Sequence, residues 1–202
     1  MNSATITQTN DLNRSAMIHK QSLSIQGLQL QEVSYPNRIM DIGRFRIKAW
    51  RNEKGVNPIF FSKDVWIDKV DQHAYHWIIT KNEEIVASAR LSIHESLVDV
   101  PYAELLNTEH VKPFQNCCLA SINRLVVLPE YRGLGLSSLL DKTRIERAIQ
   151  QKAALMIAFP QLIRLDSLER KGFELVGQLE NIPEMPERPF FLMLKKLNSL
   201  ES

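Results

Sequence analysis

The sequence predicts a single domain of mixed α/β class. Segments of alternating and of helical periodicity follow one another in the order β-α-β-β-β-α-β-α-β-β. No proline- or glycine-rich linker and no internal repeat divides the chain. Its 202 residues, 44% apolar and 24% charged, are enough for one large core and few for two.

Met1 to Gln26 is rich in Ser, Thr, Asn and Gln and reads as a polar extension, which leaves 27–202 as the domain. It lacks the apolar centre of a signal peptide. Alternation at 28–35 predicts the first strand, which Pro36 ends. Asn37 is placed to cap a helix running to about Glu53, with Ile39, Ile42, Phe45 and Ala49 on one face and Gly55 as its stop. Residues 56–74 carry no clear period and fit a short helix or an irregular segment. The runs 76–80 and 85–93, separated by Lys81-Asn82-Glu83-Glu84, read as a hairpin. The stretch 95–115, with Pro101 and Pro113, holds one helical turn at 103–106. A strand follows at 119–127, then a turn and a helix from Leu136 to Gln151. Residues 154–159 form a short buried strand broken by Pro160. A helix over 162–171 is stopped by Gly172, and the last strands, 173–177 and 190–195, are joined by the proline-bearing segment 182–189.

Composition excludes several classes of function. A net charge of +2 gives no basis for a nucleic-acid or anionic membrane partner. No stretch approaches the ~20 apolar residues of a membrane span. Cys117 and Cys118 are adjacent, a placement that points to packing residues in a reducing cytoplasm rather than to a disulfide framework. His73, His76, His94 and His110 lack metal-ligand spacing, so no metal is expected.

Chemistry concentrates in Pro129-Glu130-Tyr131-Arg132-Gly133-Leu134-Gly135-Leu136-Ser137, between a strand and a helix. Glycines allow the sharp turn and close backbone approach. The first free N–H groups of the helix favour an anion, and Arg132 adds a forked donor for phosphate oxygens. A pyrophosphate fits this cradle. Tyr131 reads as a packing residue of the loop.

Arg132-Gly-Leu-Gly135-Leu-Ser137 resembles the Arg/Gln-x-x-Gly-x-Gly/Ala acyl-CoA loop of the GCN5-related N-acetyltransferases, with Ser137 in place of the last small residue. The preceding Leu-Val-Val-Leu-Pro-Glu-Tyr is similar to that family's fourth strand and following turn, and Gly172-Phe173 to the pair after its last long helix. The similarity spans roughly 28–197. It implies a mostly antiparallel sheet of about six or seven strands, splayed between the fourth and fifth. In that arrangement the backbones of Leu125, Val126 and Val127 bind the pantetheine arm as an added strand would. Val127 N–H faces the thioester oxyanion. The pyrophosphate rests on the amides of Arg132, Gly133, Leu134, Gly135, Leu136 and Ser137. Acetyl-CoA or another acyl-CoA is then a cosubstrate, with no permanently bound cofactor.

A second resemblance lies upstream. Phe45-Arg46-Ile-Lys-Ala-Trp50, the region of Asp68 and Asp71, and Ala87-Ser-Ala-Arg90-Leu91 are similar to acyl-homoserine-lactone synthases and N-acyl amino acid synthases, acyltransferases of the same fold that take long chains, often from acyl carrier protein. Their Glu-x-Ser-Arg pattern meets Ser121-Ile-Asn123-Arg124 here: the arginine is kept and the glutamate is absent. The proton-transfer positions of the wider family also hold unreactive residues, Asn123 and Leu168. Candidate catalytic groups are therefore His94 and Glu95 at the end of the third strand, with Asn123 and Ser121 orienting water or substrate. His76 reads as a satisfied strand residue. By strand alternation Arg124 points away from Asn123 and pairs a carboxylate. Trp50, Trp66, Trp77, Phe190 and Phe191 read as core or hairpin packing, with an apolar acyl tunnel as the alternative.

The expected activity is direct attack of a small primary amine on acetyl-CoA or a related thioester, proximity supplying much of the rate. The alternatives are a long-chain acyltransferase fed by acyl carrier protein and a non-catalytic acyl-CoA-binding module. The acceptor and the oligomeric state are not legible in the chain.

Overall fold

Residues 27–197, apart from 107 and 115, are described by a computed structural model. The polar extension expected over 1–26 lies outside the described residues. Seven strands make one sheet in the order β1-β2-β3-β4-β5-β7-β6. They are β1 (Leu28–Val33), β2 (Tyr75–Lys81), β3 (Glu84–His94), β4 (Leu119–Val127), β5 (Leu155–Ala158), β6 (Glu174–Leu179) and β7 (Phe190–Lys196). Every neighbouring pair is antiparallel except β4 and β5, which run parallel. The helices are α1 (Ile39–Trp50), α2 (Thr108–Val111), α3 (Leu136–Gln150) and α4 (Leu165–Glu169).

Alternation along β2 sorts the two faces of the sheet. Trp77 and Ile79 join Leu136, Leu140 and Ala148 of α3 in the main core. Ile78 points the other way and packs with Val33 and with Ile42 of α1. The two long helices therefore sandwich the central strands. Cys118 packs against the main core, and burial pushes its thiol up from the ordinary value, as suits a packing residue.

Local chemistry explains where the elements stop. Asn82 and Glu83 both have positive φ (49° and 67°), the conformation a two-residue hairpin turn needs. Gly172 ends α4 at φ 82°. The expected cap at Asn37 is corrected. Its amide closes a turn onto Ser34 O, and the cap position is Arg38, at φ 51° with no side-chain cap bond. The first helix also ends at Trp50 rather than near Glu53. Arg51 leaves it to donate to the carbonyls of Phe61 and Lys63, which anchors the next segment. Gly55, expected as the helix stop, serves a later turn at φ 75°, where an added Cβ would lie 3.1 Å from Arg188 Cγ. The helix expected over 162–171 is split into a 3-10 turn, Leu162–Arg164, and the short α4.

Candidate active site

β4 and β5 pair over four positions, from Leu119↔Leu155 to Ile122↔Ala158. Beyond them β4 continues to Val127 against β3 alone, while the other chain leaves through Phe159 and Pro160. The parting opens a cleft of about 430 Å3. Leu125, Val126 and Val127 line one wall, and Arg132 and Ser137 stand at its mouth.

The mouth is the glycine turn. Gly133 and Gly135 have φ of 82° and 78°, and nothing lies within 4 Å of a Cβ built on either. These glycines are thus demanded by backbone conformation, and the space before them is open. Gly135 is the N-cap of α3 and supplies no side-chain cap. The first amide bonded inside the helix is Leu139 N, to Gly135 O at 3.0 Å, so the amides just ahead of it have no helical partner. The Arg132 amide, expected among the phosphate donors, is instead bonded to Pro129 O at 3.1 Å in the preceding 3-10 turn. Leu134 is exposed and Leu136 buried in the core. Arg132 contacts Glu53 at 2.6 Å, and Arg188 reaches the same carboxylate at 3.2 Å.

Inside the cleft β4 is bulged. Ser88 pairs with Val126 and Arg90 with Asn123, so Arg124 and Leu125 together oppose Ala89. Arg124 takes φ 51°, which overturns the expectation that alternation sends it to the face opposite Asn123. Both side chains meet one charged cluster instead. Arg90 Nε donates to Asn123 Oδ1 at 2.5 Å, and Asn123 Nδ2 donates to Ser121 Oγ at 3.2 Å. Arg90 and Arg124 both grip Asp68, at 2.6 and 2.9 Å. Asp71 contacts Arg46 at 3.0 Å and Arg90 at 2.9 Å. The carboxylate pairing expected of Arg124 is thus present, with Asp68.

Asp68 and Asp71 are brought into reach by a capping box around the 3-10 turn Lys69–Gln72. Burial would raise both carboxyls, but Arg90, with Arg124 for Asp68 and Arg46 for Asp71, outweighs it and holds both below the ordinary range. Burial pushes the Arg46 guanidinium down to about 10 despite Asp71. For Arg124 the balance is reversed: burial lowers it, but Tyr102 and Asp68 raise it further. This is a fixed array of charges, with no free base in it.

The other sequence candidates are scattered. Asn123 lines the cleft; Ser121 is fully buried behind it. His94 pairs with Leu119 at the far end of β3, four residues from Arg90, or ~13 Å along a strand. Its ring is hydrogen-bonded to Ser92 Oγ at 2.8 Å, and neither it nor Glu95 lines the cleft. His76 Nε2 donates to Asp71 O. Among the described residues no three His, Cys, Asp or Glu side chains are grouped to hold a metal ion.

Trp77 packs in the main core, and Trp66 and Phe190, with Trp50 against them, pack in a second core cluster, as expected. The same three side chains of that second cluster, with Phe159 and Met185, also line an apolar wall of the cleft. Glu53, Tyr102, Arg144 and Arg188 also line it and were not singled out from the sequence. The segments 95–115 and 182–189 were the available signal, being long proline-bearing connections without a period of their own.

Comparison with known proteins agrees with this geometry. The profile of the acetyltransferase (GNAT) family matches residues 43–173. A search of curated proteins finds no match. Among solved structures, FeeM, an N-acyl amino acid synthase from uncultured soil microbes, is similar with a TM-score of 0.62 at 10% identity, over 84% of this chain and 90% of that one. Naa50 of Arabidopsis thaliana, in complex with the bisubstrate analogue CoA-Ac-MVNAL, follows at 0.57 and 15%, over 85% and 99%. An acetyltransferase of Streptococcus agalactiae gives 0.55 and 17%, again over 85% and 99%. Matched over more than half its length, the chain belongs to the acetyltransferase (GNAT) family and is an N-acyltransferase.

Proposed function

We propose that the chain transfers an acyl group, acetyl foremost, from coenzyme A to a primary amine by direct attack on the thioester. The observation that carries this reading is the parting of β4 from β5 beside an open, glycine-turned helix start. Leu125, Val126 and Val127 would hold the pantetheine arm by their backbone, and the amides of 133–137, with the Arg132 side chain, the pyrophosphate. Leu128 N bonds Val86 O on the β3 side, so the Val127 amide faces the cleft and would stabilise the thioester oxyanion. Asn123, clamped by Arg90 and backed by Ser121, would orient the acceptor or a water. Acyl-CoA enters as cosubstrate.

The test is thermal unfolding with CoA and acetyl-CoA, on the wild type and on Arg132→Ala/Gly135→Glu. A ligand at 100 times its dissociation constant adds about 2.7 kcal/mol of stability. The double variant should lose that gain. A side chain at Gly135 is strained at φ 78° although nothing meets its Cβ, so the ligand shift is read against the variant's own unliganded melting temperature. Arg132→Ala alone, which breaks a half-exposed contact, should show a smaller shift on an unstrained fold. Equal stabilisation of both proteins would sink the cradle.

A second reading is favoured by the wall of Trp50, Trp66, Phe159, Met185 and Phe190, which could bury a long acyl chain delivered by CoA or by acyl carrier protein. Stabilisation by a long-chain acyl-CoA below its micellar concentration, with none from acetyl-CoA, would select it.

A further inference from the structure

Transfer from a thioester to an amine must relocate two protons: the attacking nitrogen gives one up and the departing sulfur takes one. Among the described residues lining the cleft, the carboxyl and hydroxyl groups belong to Glu53, Tyr102 and Ser137. Glu53 is held between Arg132 and Arg188 at the mouth. Ser137 sits on the first turn of α3, where the phosphates belong. Tyr102 is placed differently. It comes from the irregular connection between β3 and β4 and is held at φ 62°, a strained conformation for a residue other than glycine. Its ring is wedged edge-on against Phe159 and Phe190, with centroids 5.6 and 6.2 Å away, beside the point where β5 leaves β4.

The hydroxyl accepts from Arg124 Nη1 at 3.4 Å. Arg124 is itself held in the left-handed region by the bulge, clamped by Asp68 and stacked on Trp66 with its Cζ 3.9 Å from the ring centre. Two strained residues therefore meet through their side chains next to the backbone of Leu125, Val126 and Val127, and a fixed positive charge stands against the phenol oxygen.

We propose that Tyr102 is the catalytic acid of this cleft, giving its phenolic proton to the leaving sulfur. The inference rests on the acyl-transfer reading above. The amine lone pair attacks the thioester carbon, giving a tetrahedral adduct with an oxyanion and an N–H cation. As the C–S bond breaks, its electron pair goes to sulfur, and sulfur takes the proton from Tyr102. The resulting phenolate, beside Arg124, takes the proton from the nitrogen directly or through water. Amide and free thiol leave, and the hydroxyl is restored.

The experiment compares CoA with desulfo-CoA, which lacks the sulfur, in binding to wild type and Tyr102→Phe at pH 9, where much of the free thiol is ionised. Loss of a hydrogen bond to a charged sulfur should weaken CoA roughly tenfold in the variant and leave desulfo-CoA unchanged. With acetyl-CoA and a panel of primary amines, the variant should lose about 100-fold or more in kcat with KM for acetyl-CoA unchanged. If the variant binds both ligands as the wild type does and keeps its rate, the assignment of Tyr102 is overturned while the acyl-CoA site stands. If wild type binds neither ligand, the site itself falls, and Tyr102 with it. Equal weakening of CoA and desulfo-CoA would make Tyr102 a structural residue and also overturn the proposal.

Discussion

Asp71 shows what a single buried charge does here. Its side chain is fully buried between Arg46 and Arg90, and the Arg46 Nε and Nη2 atoms have no hydrogen-bond partner among the described residues. Two buried cations thus depend heavily on one carboxylate. Removing one partner of such a group typically costs 3–5 kcal/mol, so Asp71→Asn should lower unfolding free energy in urea by about that much. Glu53→Gln is the contrast. It also touches two arginines, but the Arg132 side chain is 54% exposed, and exposed pairs are worth at most ~1 kcal/mol. A near-wild-type stability for Asp71→Asn would mean the cluster is more hydrated than its geometry implies. Arg46, Asp68, Asp71, Arg90 and Arg124 were all visible in the sequence as parts of a resemblance. Their meeting was not, because Arg46 and Asp71 are 25 residues apart and only the sheet and α1 bring them together.

At the scale of elements, Gly43 decides how α1 meets the strap that carries Trp66. Ala in place of a helical glycine normally gains about 1 kcal/mol from propensity. Here a Cβ would fall 2.5 Å from Val65 Cγ1 and 2.8 Å from Ile67 Cγ1, and the strap is tied to the helix by Trp66 N donating to Gly43 O. Overpacking of that kind costs typically 1–3 kcal/mol, so the clash wins and Gly43→Ala should destabilise. It should also weaken substrate turnover, since shifting the strap moves Trp66 from beneath Arg124. A stabilised Gly43→Ala would show that the strap can give way freely. The bulge in β4 does most to shape the charged side of the cleft. The strand's limits, Leu119 and Val127, follow from its apolar alternation, yet one residue in the left-handed region redirects Arg124 toward Asp68 and Tyr102.

For the whole molecule, the buried titrating groups set how stability depends on pH. Burial holds His76 and His94 below the ordinary histidine value, so the unfolded chain binds their protons first. Their contribution to stability is complete above about pH 6.5 and is lost as pH falls through and below that value. Asp68 and Asp71 are depressed by their arginines; their contribution is complete above about pH 4 and is lost further into acid. Melting temperature should therefore fall from pH 7.5 to 5.5 and again below pH 4. His76→Gln keeps a donor for Asp71 O and should flatten the first decline. An unaltered slope in that variant would remove His76 as a source.

The chain alone determined what is local. Strand and helix order, the glycine turn ahead of α3 and the strand leading into it follow from periodicity and backbone chemistry within a few residues. Only the tertiary structure decided what depends on register and long connections. Whereas the parting of β4 from β5 was already implied by the family resemblance, the bulge at Arg124, the five-residue charge cluster and the entry of Tyr102 from a loop without a period are of this kind. Each brings together residues from elements distant in sequence, whose side chains carry no mark of the partner that packing will give them.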